Sequence, residues 1–127
     1  MLLWYIALGS ALGGVSRYLL QGLIQRGVGF PLGTLVINVT GSFLLGLFVR
    51  YAAESALISP EWRAFLTIGF CGGYTTFSTF SYETVRLLED GETARALSYV
   101  GLSVVVSTAA AFLGLTAGRE LLAIRRR

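Results

Sequence analysis

Apolar residues fall into four long runs along the chain, covering roughly residues 2–24, 32–53, 64–88 and 96–118, with short stretches rich in charge, glycine or proline between them. Crossing a ~30 Å hydrocarbon core as a helix takes roughly 20 apolar residues, so each run is long enough to span. The pattern predicts an all-α integral membrane protein, one domain over residues 1–127 with four transmembrane helices and short connections. No segment reads as a soluble domain or a flexible linker, and no internal repeat is visible. The apolar N-terminus carries no basic leader, and its helical pattern runs on through Arg17, so the first run is read as a retained span. Trp4, Tyr5, Tyr51 and Trp62 fall near span ends, where amphipathic rings favour the headgroup region. Gly9 with Gly13, and Gly114 with Gly118, have the spacing of close helix–helix approaches.

The third run departs from this regularity. Its centre reads Gly69-Phe70-Cys71-Gly72-Gly73-Tyr74-Thr75-Thr76-Phe77-Ser78-Thr79-Phe80-Ser81. Adjacent glycines followed by threonines are poor helix material. Unsatisfied backbone groups at membrane depth cost several kcal/mol each, so a break there survives only where protein, water or an ion satisfies it. Freed carbonyls and amides near the midplane are what ion-binding membrane proteins use. A glycine-rich helix packed tightly on its neighbours fits the same residues, and spacing alone does not separate the two.

Composition agrees with the pattern. Hydrophobic residues make up 54% of the chain and charged residues 13%, about half the charged share of a soluble domain. The charges lie between, beyond or at the ends of the apolar runs; only Arg17 and Glu83 sit well inside one. A net charge of +3 in such a chain points to anionic lipid headgroups and not to nucleic acid. One cysteine, Cys71, and no histidine leave no disulfide framework, no zinc site and no histidine acid–base chemistry within one subunit.

Four spans place both termini and the second loop on one face, with Arg50, Arg63 and Arg119, and the other two loops on the opposite face, with Arg26, Arg86 and Arg95. The arginines at 125–127 tilt the balance toward termini inside, yet the body of the chain permits insertion in either orientation.

Several polar residues inside the runs carry candidate chemistry. Thr34 and Asn38 are four apart on one helical face, and the Asn38 amide offers two N–H donors. Interhelical hydrogen bonding would use the same amide. Tyr99, Ser103 and Ser107 repeat every four residues as a stripe of hydroxyls, although a serine in a helix commonly bonds its own backbone carbonyl. Arg17 is placed either to line an aqueous vestibule that draws in anions or to snorkel to the headgroups. Glu83 is placed either to pair with Arg17 or to sit at a pore mouth.

Residues 69–81, followed by Glu83, closely resemble the signature of the bacterial fluoride channels, the CrcB or Fluc family. Gly13-Gly14-Val15-Ser16-Arg17-Tyr18 in the first run matches too. So do Pro31-Leu32-Gly33-Thr34-Leu35-Val36-Ile37-Asn38 and Gly41-Ser42-Phe43-Leu44-Leu45-Gly46 in the second. With length and layout agreeing, the resemblance covers essentially the whole chain.

It implies a channel that exports fluoride passively, not an enzyme, built as an antiparallel dual-topology homodimer with two narrow pores along the interface. The third helix would be broken at mid-membrane depth. There the backbone carbonyls of Gly72 and Thr75 from both subunits would hold a sodium ion that is structural and not transported. Phe77 and Phe80 would line the pore edge-on, since a ring edge carries partial positive charge. Asn38, Thr34, Tyr99, Ser103 and Ser107 would supply donors along the fluoride pathway, with Arg17 and Glu83 at the vestibule. Lipid and fluoride are the expected partners, and the bacterial plasma (inner) membrane, crossed several times, the expected location.

A small multidrug exporter of four spans would need a buried carboxylate for proton exchange, and the only intramembrane one is Glu83, late in the third run. A membrane enzyme would need a nucleophile beside a general base, and none is evident. A non-transporting accessory subunit fits the sequence as well and differs only in showing no flux.

Overall fold

The computed structural model describes residues 1–27 and 29–127. Among them the fold is all helical, without a strand. Helix α1 spans Leu2–Ile24 and α2 Leu32–Glu54. Helix α3, Pro60–Ala64, runs into a π-helical stretch, Phe65–Cys71, and then the short α4, Gly72–Tyr74. Helix α5 covers Phe77–Glu89 and α6 Thr93–Arg125. Among these, α2 and α6 are each long and apolar enough to cross a membrane.

Local chemistry sets the ends of these elements. Pro31 precedes α2 and offers no capping side chain, so the first amides of that helix need another acceptor. Gln25 provides it: its Oε1 accepts from the Gly33 N–H at 2.9 Å while its Nε2 donates to the Phe30 carbonyl at 2.9 Å, closing the loop between α1 and α2. Helix α3 begins with Ser59 as N-cap and Pro60 in the first turn, where a missing N–H costs nothing. Just past the end of α5, Gly91 has a φ of 75°, a left-handed value that glycine adopts freely, and the Glu92 N–H closes back on the Leu87 carbonyl at 2.8 Å.

Helix α6 continues to Arg125 instead of stopping near residue 118. Nothing beyond Gly118 breaks a helix, Leu122 is buried, and Arg125 donates to the Tyr51 hydroxyl at 2.8 Å. At ~1.5 Å per residue such a helix is longer than a ~30 Å hydrocarbon core is thick.

Two close pairings organise the chain. Helix α1 lies against residues 65–74, and α2 lies against α6. In the first, a methyl group at Gly13 would collide with the Phe70 carbonyl oxygen, and one at Gly9 would come within 2.5 Å of the Phe65 oxygen. In the second, a methyl at Gly114 would strike the Phe43 carbonyl, and one at Gly118 would come within 2.9 Å of the Leu47 oxygen. All four positions are therefore places where only hydrogen fits. At one end of the molecule Tyr5 meets Trp62 edge-on at 5.8 Å and Arg125 meets Tyr51; at the other, Phe30 packs edge-on against Tyr99 at 5.5 Å. Large apolar side chains such as Leu12, Leu19, Val105 and Phe112 face outward, as they do where lipid is the solvent.

Candidate functional site

Between α4 and α5 the backbone leaves the helical region for two residues. Thr75 has φ -79° and ψ 158°, and Thr76 has φ -150° and ψ 117°. The interruption thus falls after the glycine pair: Gly72 and Gly73 are still helical. Gly73 is pressed against Ser10 of α1, where a Cβ would come within 2.5 Å of the Ser10 carbonyl oxygen, whereas Gly72 has open space around it.

Asn38 of α2 holds the interruption. Its Nδ2 donates to the Thr76 carbonyl at 3.0 Å, and its Oδ1 accepts from the Thr76 N–H at 2.8 Å. One side-chain amide satisfies both polar groups of an extended residue, as a neighbouring strand would. Thr76 in turn starts α5, its Oγ1 accepting from the Thr79 N–H at 3.2 Å as an N-cap. Thr75 folds its hydroxyl back onto the Cys71 carbonyl at 2.9 Å, which also accepts from the Thr75 N–H at 3.0 Å. Among the described residues, the hydrogen bonds across the interruption leave the carbonyls of Gly72 and Thr75 without a donor.

A groove of about 360 Å³ opens beside this interruption. Asn38 and Ser42 from α2, Thr75 to Phe77 and Phe80 from the interrupted segment, and Ser103 and Ser107 from α6 line it. Five of the residues expected on an ion path therefore meet here: Asn38, Phe77, Phe80, Ser103 and Ser107. Phe77 is 79% exposed on the single chain, while Phe80 turns inward and meets Tyr99 edge-on at 5.1 Å.

The two serines stand out. Other hydroxyls on α6 bond the carbonyl four residues back: Ser98 to Ala94 at 2.8 Å and Thr116 to Phe112 at 3.1 Å. The hydroxyl oxygens of Ser103 and Ser107 are buried and have no partner among the described residues. Such groups cost free energy unless something fills the site.

Thr34, Tyr99 and Glu83 form a second cluster, behind Phe80. Thr34 and Tyr99 are fully buried, and their hydroxyls donate to the two oxygens of Glu83 at 2.7 and 2.8 Å. Glu83 also borders an outer cleft of about 280 Å³ lined by Gln25, Pro31, Tyr82 and Arg86 among others. Phe80 and Tyr99 thus separate the inner groove from this cleft. Glu83 is one lining residue of that cleft, and among the described residues no ion pair joins it to Arg17, which is half-buried on α1.

Some participants escaped the sequence reading. Thr76 was not singled out, though a threonine three residues before Thr79 is a recognisable N-cap signal. Thr40, whose hydroxyl meets that of Tyr74 at 2.9 Å, and Gln21, which donates to Thr34 at 3.0 Å, left no signal because neither lies in a motif.

Among the described residues, an all-helical fold with an apolar exterior, a polar groove among its helices and two helices long and apolar enough to cross a membrane has the features of a small membrane protein. The family model described as CrcB-like protein, Camphor Resistance (CrcB), matches residues 4–115. The fluoride-specific ion channel FluC of Geobacter metallireducens is 53% identical over 118 residues, 91% of this chain and 95% of that protein. The FluC protein of Geobacter sulfurreducens is 50% identical over 118 residues, with the same shares of 91% and 95%. That of Methanopyrus kandleri is 47% identical over 112 residues, 88% of this chain and 85% of its own. The chain belongs to the CrcB-like family, a family of ion channels and not of enzymes.

Proposed function

We propose that this protein is a fluoride-selective channel that lets fluoride leave the cytoplasm passively, in the form of an antiparallel homodimer with two pores, in the bacterial plasma membrane. The observation that carries the reading is the pair of buried, unpartnered hydroxyls of Ser103 and Ser107 on the same groove as Asn38, Phe77 and Phe80.

Fluoride is small and strongly hydrated, so a path through a low-dielectric layer must replace water donors with protein donors. Two serine hydroxyls and the Asn38 Nδ2 hydrogen not bonded to Thr76 are three such donors. The rings of Phe77 and Phe80 add edges of partial positive charge that face an anion without hydrating it. Glu83, the nearest carboxylate, lies behind Phe80 with both oxygens already accepting from hydroxyls, which keeps its charge off the inner groove. A multidrug exporter would need that carboxylate facing its substrate.

The carbonyls of Gly72 and Thr75 suit a hard cation, since among the described residues neither accepts a backbone hydrogen bond, and Gly72 is exposed on the single chain, so a second subunit would complete the site. A sodium ion bound there would supply positive charge that favours an anion nearby and would tie the two subunits together. The third helix, interrupted at Thr75 and Thr76, would then place this site at mid-membrane depth. Wherever the dimer forms, its interface would cover the exposed Phe77 ring.

Liposomes reconstituted with the purified chain, loaded with fluoride or chloride and diluted into halide-free buffer, test the reading. Fluoride is expected to leave quickly and chloride to stay. Comparable rates for the two would overturn selectivity, and no flux at all would mark an accessory subunit.

A further inference from the structure

Gln21 is the one polar side chain of α1 that reaches into the Glu83 cluster, and no role above uses it. Its carbon stem lies against Gly33, where a Cβ would come within 3.1 Å of the Gln21 Cγ, and its Nε2 donates to the buried Thr34 hydroxyl at 3.0 Å.

Thr34 stands in the first turn of α2, where the carbonyl four residues back is that of Phe30, outside the helix and already accepting from Gln25 Nε2 and the Leu32 N–H. Thr40, Thr67, Thr84 and Thr116 each donate to the carbonyl four residues back. Thr34 instead donates across the molecule to Glu83 at 2.7 Å. A hydroxyl has one proton and two lone pairs. With the Gln21 N–H on a lone pair, the Thr34 proton stays on Glu83. A rotamer that moved the oxygen away would leave a half-buried amide hydrogen unpaired.

We infer that Gln21 is a positioning residue: it holds the Thr34 hydroxyl on Glu83 and so, together with Tyr99, fixes the carboxylate behind Phe80 and off the inner groove. The inference rests on the proposed fluoride path along the inner groove, from which Glu83 is held away. Without Gln21, the Thr34 hydroxyl is no longer held from α1, its bond to Glu83 loosens, and the carboxylate is freer to swing toward the inner groove or the outer cleft.

Gln21→Met keeps the stem length and removes the donor. Fluoride efflux from liposomes is expected to fall about 5- to 10-fold, the effect of one lost buried hydrogen-bond partner. Because Gln21 acts through Thr34, the same change in a Thr34→Val background should add nothing. Isotope-edited infrared spectra, with the Glu83 band assigned by Glu83→Gln, should show the carboxylate stretch shifted in Gln21→Met, a response that general loosening of the fold would not produce. Wild-type flux in Gln21→Met, additive losses in the double variant, or an unmoved band would each overturn the inference. Should the methionine variant fail to assemble, Gln21→Glu, equal in length and accepting the threonine proton, is judged by the same three readouts. A wild-type chain that conducts no fluoride sinks the proposed function, whereas the infrared comparison still decides the role of Gln21.

Discussion

Asn38 is spent twice at one peptide, donating to the Thr76 carbonyl and accepting from its N–H. Aspartate there keeps the acceptor and loses the donor, so a carboxylate oxygen would face the carbonyl oxygen of Thr76. Asn38→Asp is expected to lower stability by ~1–3 kcal/mol, the cost of an unsatisfied buried group. It should also cut fluoride efflux at least about tenfold. Thermal unfolding in detergent and liposome flux measure the two separately. Ser103 gives the opposite combination. Only 7% exposed, it has no protein partner to lose, so Ser103→Ala should leave stability within ~0.5 kcal/mol of wild type or slightly above it. Efflux should nevertheless fall, about fivefold for one missing donor. Destabilisation without a change in flux would mean that Ser103 is a packing residue. The candidacy of these two side chains was visible in the chain, because an amide and regularly spaced hydroxyls stand out in apolar runs. Their partners were not. Nothing local marks Thr76 as the group that Asn38 holds, since the two are 38 positions apart and meet only when α2 packs beside the interruption.

Helix pairing rests on glycine. Gly13 abuts the Phe70 carbonyl so closely that even a methyl group forces α1 away from residues 65–74. Gly13→Ala is therefore expected to cost ~1–3 kcal/mol and lower the thermal midpoint, while Gly22→Ala, with open space around it, should be neutral. Equal midpoints for the two variants would show that the contact does not bear on stability. The spacing of Gly9 with Gly13, and of Gly114 with Gly118, announced these approaches but not which helix lies opposite. The position of the interruption was only partly legible for a related reason. Glycine lowers helix propensity, yet packing on α1 keeps Gly73 helical, and the helix yields instead at Thr75 and Thr76, where Asn38 offers the backbone another partner.

At the scale of the molecule, the groove is an open surface on a single chain, with Phe77 exposed and Gly72 uncovered. A second copy would close it, and a cation held between carbonyls would favour closure by mass action. Replacing sodium with a bulky organic cation on both sides of the liposome is expected to slow fluoride efflux by roughly tenfold and to loosen the dimer in detergent. Unchanged flux and unchanged assembly would remove sodium from the account.

The sequence by itself determined that the chain is helical and apolar enough to live in a bilayer, because a charge content of 13% cannot clothe a soluble domain of this size. It determined which polar residues lie inside the runs, and its signature residues 69–81 marked the family. Tertiary structure decided what those polar residues do. It divided them between an open groove, at Asn38, Ser103 and Ser107, and a closed cluster, at Thr34, Tyr99 and Glu83, and it drew Gln21 into the second. The reason is physical: a hydrogen bond depends on a separation of about 3 Å and on direction, neither of which spacing along a chain encodes once the partners sit on different helices.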